Sequence, residues 1–368
     1  MQITRIEAFP IRAPRSQRFE AANAVLTHSD FALVTIDTDA GITGYGEISS
    51  ALAHYRLGPS HAQDVNAYLG PALTGEDALA IPALINRMDR VLTGGRQAKS
   101  GIDMALWDIA GKAARLPVYR LLGGKARPGV PLNWTMGFME PDETAAEAAQ
   151  YVKTHGVRSV RLKIGRPGDV DARACAAVRK RLGPQMPIRV DANEYYRSPK
   201  QAIAAIRQIE PYDIQMVEQP LAAHDFTGHA DVRAAVNTPV ILDESIQSPR
   251  DAITAIQTRA ADAFNVYVSE SGGLLRAQQI IAIGEAAGIP CLIGTMGELQ
   301  IASAAAAHLA VACANIPFTC DLVGPLRYDE SIIQEPLRLE DGFFYPPDAP
   351  GLGISPNWDV INRWRVPA

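Results

Sequence analysis

The chain has 368 residues, 47% hydrophobic and 20% charged, with a formal net charge of −5. That length suits one large α/β domain plus a smaller one, the charge leaves no basic footprint for nucleic acid, and no run nears the roughly 18 apolar residues of a membrane span. Four cysteines (Cys175, Cys291, Cys313, Cys320) lack metal-like spacing and read as buried hydrophobes of a reducing compartment; MQITRIEAFPIR carries no signal-peptide pattern, so the cytoplasm is the expected location.

Residues 1–50 alternate apolar and polar side chains in ITRIEAFPIR and FALVTIDTDAGITGYGEIS, with turn signals at Asp39-Ala40-Gly41, Gly44 and Gly46. The pattern predicts an antiparallel meander. Between its strands, residues 14–30 have no clear period and read as a long loop, of the kind used as lids or binding loops. Residues 51–124 have helical spacing, broken at Gly94-Gly95. They close with SGIDMALWDIAGKAARLPVYRLLGG, in which Ile102, Ala105, Leu106, Ile109 and Ala110 recur at helical intervals. From 130 to 324 the pattern becomes strand–helix units. The predicted strands are VPLNWTMG (130–137), SVRLKIG (159–165), PIRVDAN (187–193), QMVEQP (215–220), PVILDES (239–245), AFNVYVSE (263–270), PCLIGTM (290–296) and FTCDLVG (318–324). Eight such runs with Ala-rich helices between them imply a (β/α) barrel whose active face lies at the strands' C-terminal ends. After 324 the helical pattern weakens. LEDGFFYPPDAPGLGI reads as an irregular tail, and the last barrel helix is expected to be missing or altered.

Three neighbouring strands end in an acid: Asp191, Glu218 and Asp243, at intervals of 27 and 25 residues. Each interval holds one loop, one helix and one strand, so the acids would converge at one end of the barrel. Such an oxygen-rich site fits a hard dication such as Mg²⁺; the alternative is three unrelated acids at strand ends. One strand earlier, Arg161 and Lys163 are two residues apart and face the same side. They serve either as ion-pair partners of the three acids or, for Lys163, as a general base whose pKa Arg161 and Mg²⁺ lower.

R-L-K, D-A-N, E-Q-P and D-E-S in this order, preceded by ALWDIAGKAARLPVYRLLGG, resemble the enolase superfamily and, within it, the muconate-lactonizing-enzyme subgroup. The resemblance spans essentially the whole chain. It implies an N-terminal α+β capping domain (1–125), a modified TIM barrel, (β/α)7β (126–327), and a C-terminal segment returning to the cap (328–368). It also implies that Asp191, Glu218 and Asp243 bind Mg²⁺ and that a substrate carboxylate chelates the ion. Lys163 would then remove or return the α-proton through an ene-diolate. Arg161, Asn193 and Thr295 are carried over as substrate-binding candidates, and homo-oligomers are common among such proteins.

Two departures narrow the expectation. Where racemising members carry N-I-K-x-x-K-x-G-G, this chain has Asn265-Val266-Tyr267-Val268-Ser269-Glu270-Ser271-Gly272-Gly273, with Tyr267 at the first lysine position. A tyrosine, ordinarily near pKa ~10, is a poor symmetric partner for a lysine base but a usable proton donor; its hydroxyl could alternatively only hydrogen-bond. Asp321-Leu322-Val323 resembles the D-x-D pair that holds an ammonium in dipeptide epimerases, with Val323 in place of the second acid. Asp321 is therefore expected either to bind a single amine or to cap a strand end. The pattern is similar to that of cis-3-hydroxy-L-proline dehydratases and implies a Mg²⁺-dependent hydro-lyase of a small amino or imino acid. The rivals are an amino-acid or betaine racemase or epimerase, a muconate-type cycloisomerase and a non-catalytic Mg²⁺-dependent binding protein. Phe19, His28, His54 and Tyr55 are candidate specificity residues in the cap. Trp134 is expected to pack or to line the pocket floor, and His308 to be a packed or surface histidine.

Overall fold

The computed structural model describes residues 1–21, 24–49 and 58–366. Strands β1 (Ile3–Ala21), β2 (Ala24–Thr38) and β3 (Thr43–Ser49) form the expected antiparallel meander. Gly44 and Gly46 lie inside β3, not at a turn. A Cβ on Gly46 would sit 1.9 Å from the Gly101 carbonyl oxygen and one on Gly44 2.2 Å from that of Ala105. Bare backbone is what lets this strand lie directly on the helix that follows.

Residues 14–30 do not form a loop. β1 and β2 stay paired to Ala21 and Ala24, with a register slip between Pro14 and Phe19. Beyond Pro14 neither face of this ribbon rests on a core, so the period-2 signal disappears although the ladder continues. The ribbon tip instead brings Arg15, Phe19 and Leu26 over the barrel mouth.

Helices α1 (Gly58–Gln63), α2 (Gly70–Leu73), α3 (Ile81–Val91), α4 (Arg96–Ala114) and α5 (Val118–Leu121) follow. α4 starts after Gly95 and stops at Arg115, both left-handed. Ile36, Ile48, Leu69, Leu84, Ile102 and Leu106 join the meander and these helices in one core.

Then come β4 (Val130–Pro131), β5 (Asn133–Met136), α6 (Pro141–His155), β6 (Ser159–Lys163), α7 (Val170–Leu182), β7 (Ile188–Asp191), α8 (Pro199–Ile209) and β8 (Ile214–Glu218). They are followed by α9 (Phe226–Ala235), β9 (Val240–Leu242), α10 (Pro249–Thr258), β10 (Ala263–Val266), α11 (Val268–Ser271), α12 (Leu274–Ala286), β11 (Cys291–Ile293) and α13 (Gln300–Ala312). Strands β5 to β11 make one seven-stranded parallel sheet in chain order.

The eighth predicted strand is reduced to a seam. Asn133 N–H donates to the Cys320 carbonyl at 2.9 Å, and Asp321 N–H donates to that of Ile293 at 2.9 Å. Residues 320–321 thus tie β5 to β11 and close the ring, consistent with a modified TIM barrel. A tight turn from Asp321 to Val323 and the 3₁₀ turn Gly324–Arg327 follow at once, leaving no room for a longer ladder or a full eighth helix.

The tail is more ordered than its composition implies. β12 (Arg338–Glu340) and β13 (Phe343–Tyr345) form a hairpin around Asp341-Gly342, both at positive φ, and β13 extends onto β4. An Asp-Gly step between two strand-like runs is a strong hairpin signal. After α14 (Trp358–Trp364), Arg365 bridges Ile11 of β1. All four cysteines are free and buried, and among the described residues no helix is long and apolar enough to cross a membrane.

Candidate active site

Strand register assembles the site. Lys163 pairs with Asp191, and Asp191 with Glu218, as the last residues of β6, β7 and β8. Because side chains alternate across a strand, Val160, Leu162 and Val190 face the helices, and the three ionic residues share the inner face. Asp243 follows β9. One oxygen from each of Asp191, Glu218 and Asp243 falls within 4.8 Å of the others, and all three side chains are buried.

The donor set fits a hard dication. Glu218 Oε2 is buried without a hydrogen-bond partner among the described residues, whereas its Oε1 accepts from Arg161 Nη1 at 2.5 Å and Asn265 Nδ2 at 2.9 Å. A buried carboxylate oxygen left without a donor is costly, and a cation among three acids answers that cost.

Around the acids, Lys163 Nζ donates to Asp191 Oδ2 and Asn193 Oδ1, each at 2.5 Å. Asn193 in turn donates to Glu244 Oε1 at 3.0 Å. Asn193, Glu194 and Gln219 are left-handed at φ 41°, 63° and 38°. Such backbone costs of order 1–3 kcal/mol per residue and persists where surroundings fix it. Here the fixing contacts are side-chain bonds: Gln219 Oε1 accepts from Asp243 N–H at 2.9 Å, and its Nε2 donates to Ser245 Oγ at 2.7 Å. Gln219, unflagged by sequence, therefore holds the loop that carries Asp243.

Tyr267, one residue past β10, donates its hydroxyl to Asp243 Oδ2 at 3.2 Å. Burial and the neighbouring Asp243 charge push that hydroxyl well above its ordinary pKa. Burial and the charge of Glu244 likewise raise Asp243. For Asp191 burial acts upward too, but the Lys163 ammonium and Arg161 guanidinium overcome it and hold the carboxyl below its usual range. β6 and β10 stand four places apart in an eight-place ring, so Lys163 and Tyr267 approach the centre from opposite sides.

A cavity of about 230 Å³ lies above this layer. Lys163, Asn193, Arg161, Thr295, Tyr267 and Asp243 line it, together with Glu244, Glu270, Arg327 and, from the cap, Arg15, Phe19 and Leu26. Thr295 is bonded to the Glu298 carboxylate and accepts from Gly297 N–H at 2.9 Å.

Of the two expectations for Asp321, an amine-binding acid or a strand-end cap, its surroundings favour the structural one. It is fully buried one layer below, where Oδ1 accepts from Arg189 Nη2 at 2.7 Å and Asn133 Nδ2 at 2.5 Å, while Oδ2 lies 3.2 Å from Arg161 Nη1. Oδ2 has no hydrogen-bond partner among the described residues, so Asp321 meets Arg189 by a hydrogen bond and Arg161 by an ion pair alone. Burial works against the charge on Arg161, but Asp321, Glu218 and Asp191 more than offset this and keep it firmly protonated.

Phe19 lies at the cavity. His28 is exposed on the ribbon, and His54 and Tyr55 fall outside the described residues. Trp134 faces outward, stacked 3.4 Å from Tyr151, and lines a neighbouring cavity of about 270 Å³ with Phe19 and Arg327. His308 is a packed histidine: Nδ1 accepts from Tyr119 N–H at 3.2 Å, and burial drives its pKa to about 4.

Family models agree with this architecture. The mandelate racemase/muconate lactonizing enzyme N-terminal domain matches residues 5–123, and the enolase C-terminal domain-like model matches 143–360. The chain belongs to the mandelate racemase/muconate lactonizing enzyme group of the enolase superfamily. Among its relatives, L-Ala-D/L-Glu epimerase of Bacillus subtilis is 33% identical over 96% of this chain and 97% of its own. Muconate cycloisomerase 1 of Rhodococcus opacus is 30% identical over 99% and 98%. N-succinyl Arg/Lys racemase of Bacillus cereus, a solved structure, superposes with a TM-score of 0.94 at 31% identity, covering 100% of this chain and 98% of that one. The relatives are thus enzymes of several reaction types, and members of the superfamily use Mg²⁺.

Proposed function

We propose that this chain is a Mg²⁺-dependent lyase that removes the proton α to the carboxylate of a small amino or imino acid and eliminates water, with cis-3-hydroxy-L-proline as substrate. The observation that carries this reading is the pairing of Lys163 with Tyr267, in place of a second lysine, across one cavity. Racemisation needs a base on each face of the α-carbon, whereas elimination needs one base and one acid. In cis-3-hydroxy-L-proline the hydroxyl and carboxylate share a ring face, so the α-proton and hydroxyl lie on opposite faces. An anti elimination then calls for a base and an acid on opposite sides of the ring.

Asp191, Glu218 and Asp243 would hold Mg²⁺, which when bound would supply positive charge to the substrate carboxylate. Lys163 Nζ takes the α-proton and the C–H electron pair becomes the Cα=Cβ double bond. The bond from Cβ to the hydroxyl breaks, and the Tyr267 hydroxyl supplies the proton with which it leaves as water. The enamine tautomerises to 1-pyrroline-2-carboxylate. Tyr267 suits the acid role because its hydroxyl is a donor that lines the same cavity as Lys163.

The test is NMR of each 3-hydroxyproline isomer with and without Mg²⁺. Dehydration of the cis-L isomer only with metal is expected, with Lys163→Ala abolishing α-proton exchange. No metal-dependent turnover of that isomer removes the substrate assignment. The epimerase and racemase relatives support a second reading, which inversion with solvent deuterium uptake and no elimination would favour.

A further inference from the structure

With Asp321 committed to Arg189 and Arg161, recognition of a substrate nitrogen falls to another group. The cavity lining carries both charges. Arg15 comes from the β1–β2 ribbon and Arg327 from the turn after the seam, the latter near the Phe19 and Trp134 rings at 5.1 and 4.5 Å. Glu244 and Glu270 come from the segments that follow β9 and β10, with Asp243 and Tyr267. Glu270 is 4% exposed, lies in α11 three residues after Tyr267, and lines the same cavity. Glu244 contributes an independent sign: its Oε2 is buried with no hydrogen-bond partner among the described residues, while Oε1 takes the Asn193 amide. The charge of Glu270 is close enough to add to the burial that raises both Tyr267 and Glu244.

Substrate geometry then leaves one choice. With the substrate carboxylate at the cation that the three acids would hold and the α-carbon between Lys163 and Tyr267, the nitrogen on that same carbon has the arginines or the glutamates of the lining available to it. A protonated nitrogen goes to the glutamates.

We propose that Glu270, with the unclaimed oxygen of Glu244, selects a protonated secondary or primary amine on the substrate's α-carbon, excluding N-acylated and nitrogen-free carboxylates. Glu270 is the specificity-determining residue, and the inference rests on the α-proton chemistry above. It departs from the D-x-D arrangement on the eighth strand by placing the amine-binding acid after the sixth.

The experiment compares Mg²⁺-dependent binding of L-proline and cyclopentanecarboxylate by calorimetry in wild type, Glu270→Gln and Glu270→Asp. It is paired with KM and kcat for cis-3-hydroxy-L-proline. A charge-assisted hydrogen bond corresponds to roughly 10- to 100-fold in affinity. Wild type is expected to prefer L-proline by about that factor, Glu270→Gln to erase the preference by weakening L-proline alone, and Glu270→Asp to keep part of it. KM should rise in Glu270→Gln with a smaller change in kcat. Equal loss of both ligands would assign Glu270 a structural role and overturn the proposal, as would a preference that survives the glutamine. No preference in wild type overturns the amine-selecting wall altogether. A preference erased by Glu270→Gln, alongside no dehydration of any hydroxyproline isomer, upholds this inference while removing the substrate assignment.

Discussion

Asp321→Asn tests whether this acid serves the scaffold or the substrate. Its carboxylate is shared by Arg189 and Arg161, whose side chains are 0% and 3% exposed, so the substitution keeps the shape and strips the only charge facing Arg189 among the ion pairs of the described residues. Breaking a buried ion pair by removing one partner costs about 3–5 kcal/mol. At an unfolding entropy of about 2.1 cal/mol/K per residue, this chain length gives ~0.8 kcal/mol/K, so Tm should fall by roughly 4–6 °C. Differential scanning calorimetry reads that shift, and steady-state kinetics reads KM for the amine substrate. The expected result is a lowered Tm with KM changed little. Arg189→Met on the Asp321→Asn background should recover much of the loss, because the orphaned cation is then gone. A Tm within about 1 °C of wild type together with a large KM increase would refute the assignment and return Asp321 to the substrate.

Gly294→Ala probes Tyr267 without touching it: the new Cβ would lie 2.1 Å from Tyr267 Cε2, so the ring must move. Elimination should slow by about 100-fold while α-exchange persists, and equal losses of both would argue against Tyr267 as the acid. Asp243→Asn should weaken Mg²⁺ by at least about tenfold in calorimetric titration, and an unchanged affinity removes it from the ligand set. Glu47, buried in β3, accepts from Leu299 N–H at 2.8 Å and Ala302 N–H at 3.0 Å at the start of α13, and burial raises its pKa to about 7. The folded state binds that proton more tightly than the unfolded one, so this contribution, of order 3 kcal/mol, is present below pH ~4.5 and lost as pH rises through ~7. Glu47→Gln should flatten the fall of Tm over that interval, and an unaltered slope would refute the sign.

The residues at the inner strand ends are legible because each depends on one strand. Lys163, Asp191 and Glu218 are the last residues of β6, β7 and β8, and parallel register alone sets them side by side. Asp321 is ambiguous in sequence for the opposite reason. Its partner Arg189 sits two residues before Asp191, and the two meet only because residues 320–321 close the ring between β11 and β5. A strand-end acid looks the same in sequence whether it faces a ligand or a guanidinium from across the barrel. Phe19 was named for the cap, yet its surroundings were hidden, because the ribbon that carries it lacks a core and shows no alternation. The wall it forms joins Arg15 to Tyr328 and Arg327, more than three hundred residues away. Motifs therefore mark the side chains that strand-local geometry assembles, whereas the cap-to-tail contacts around Phe19 leave no periodic trace. Relatives about 30% identical over nearly the whole chain include epimerases, racemases and cycloisomerases, so shared architecture does not decide the reaction. The deciding measurements therefore fall on Tyr267, Glu270 and Asp321, not on the acids or on Lys163.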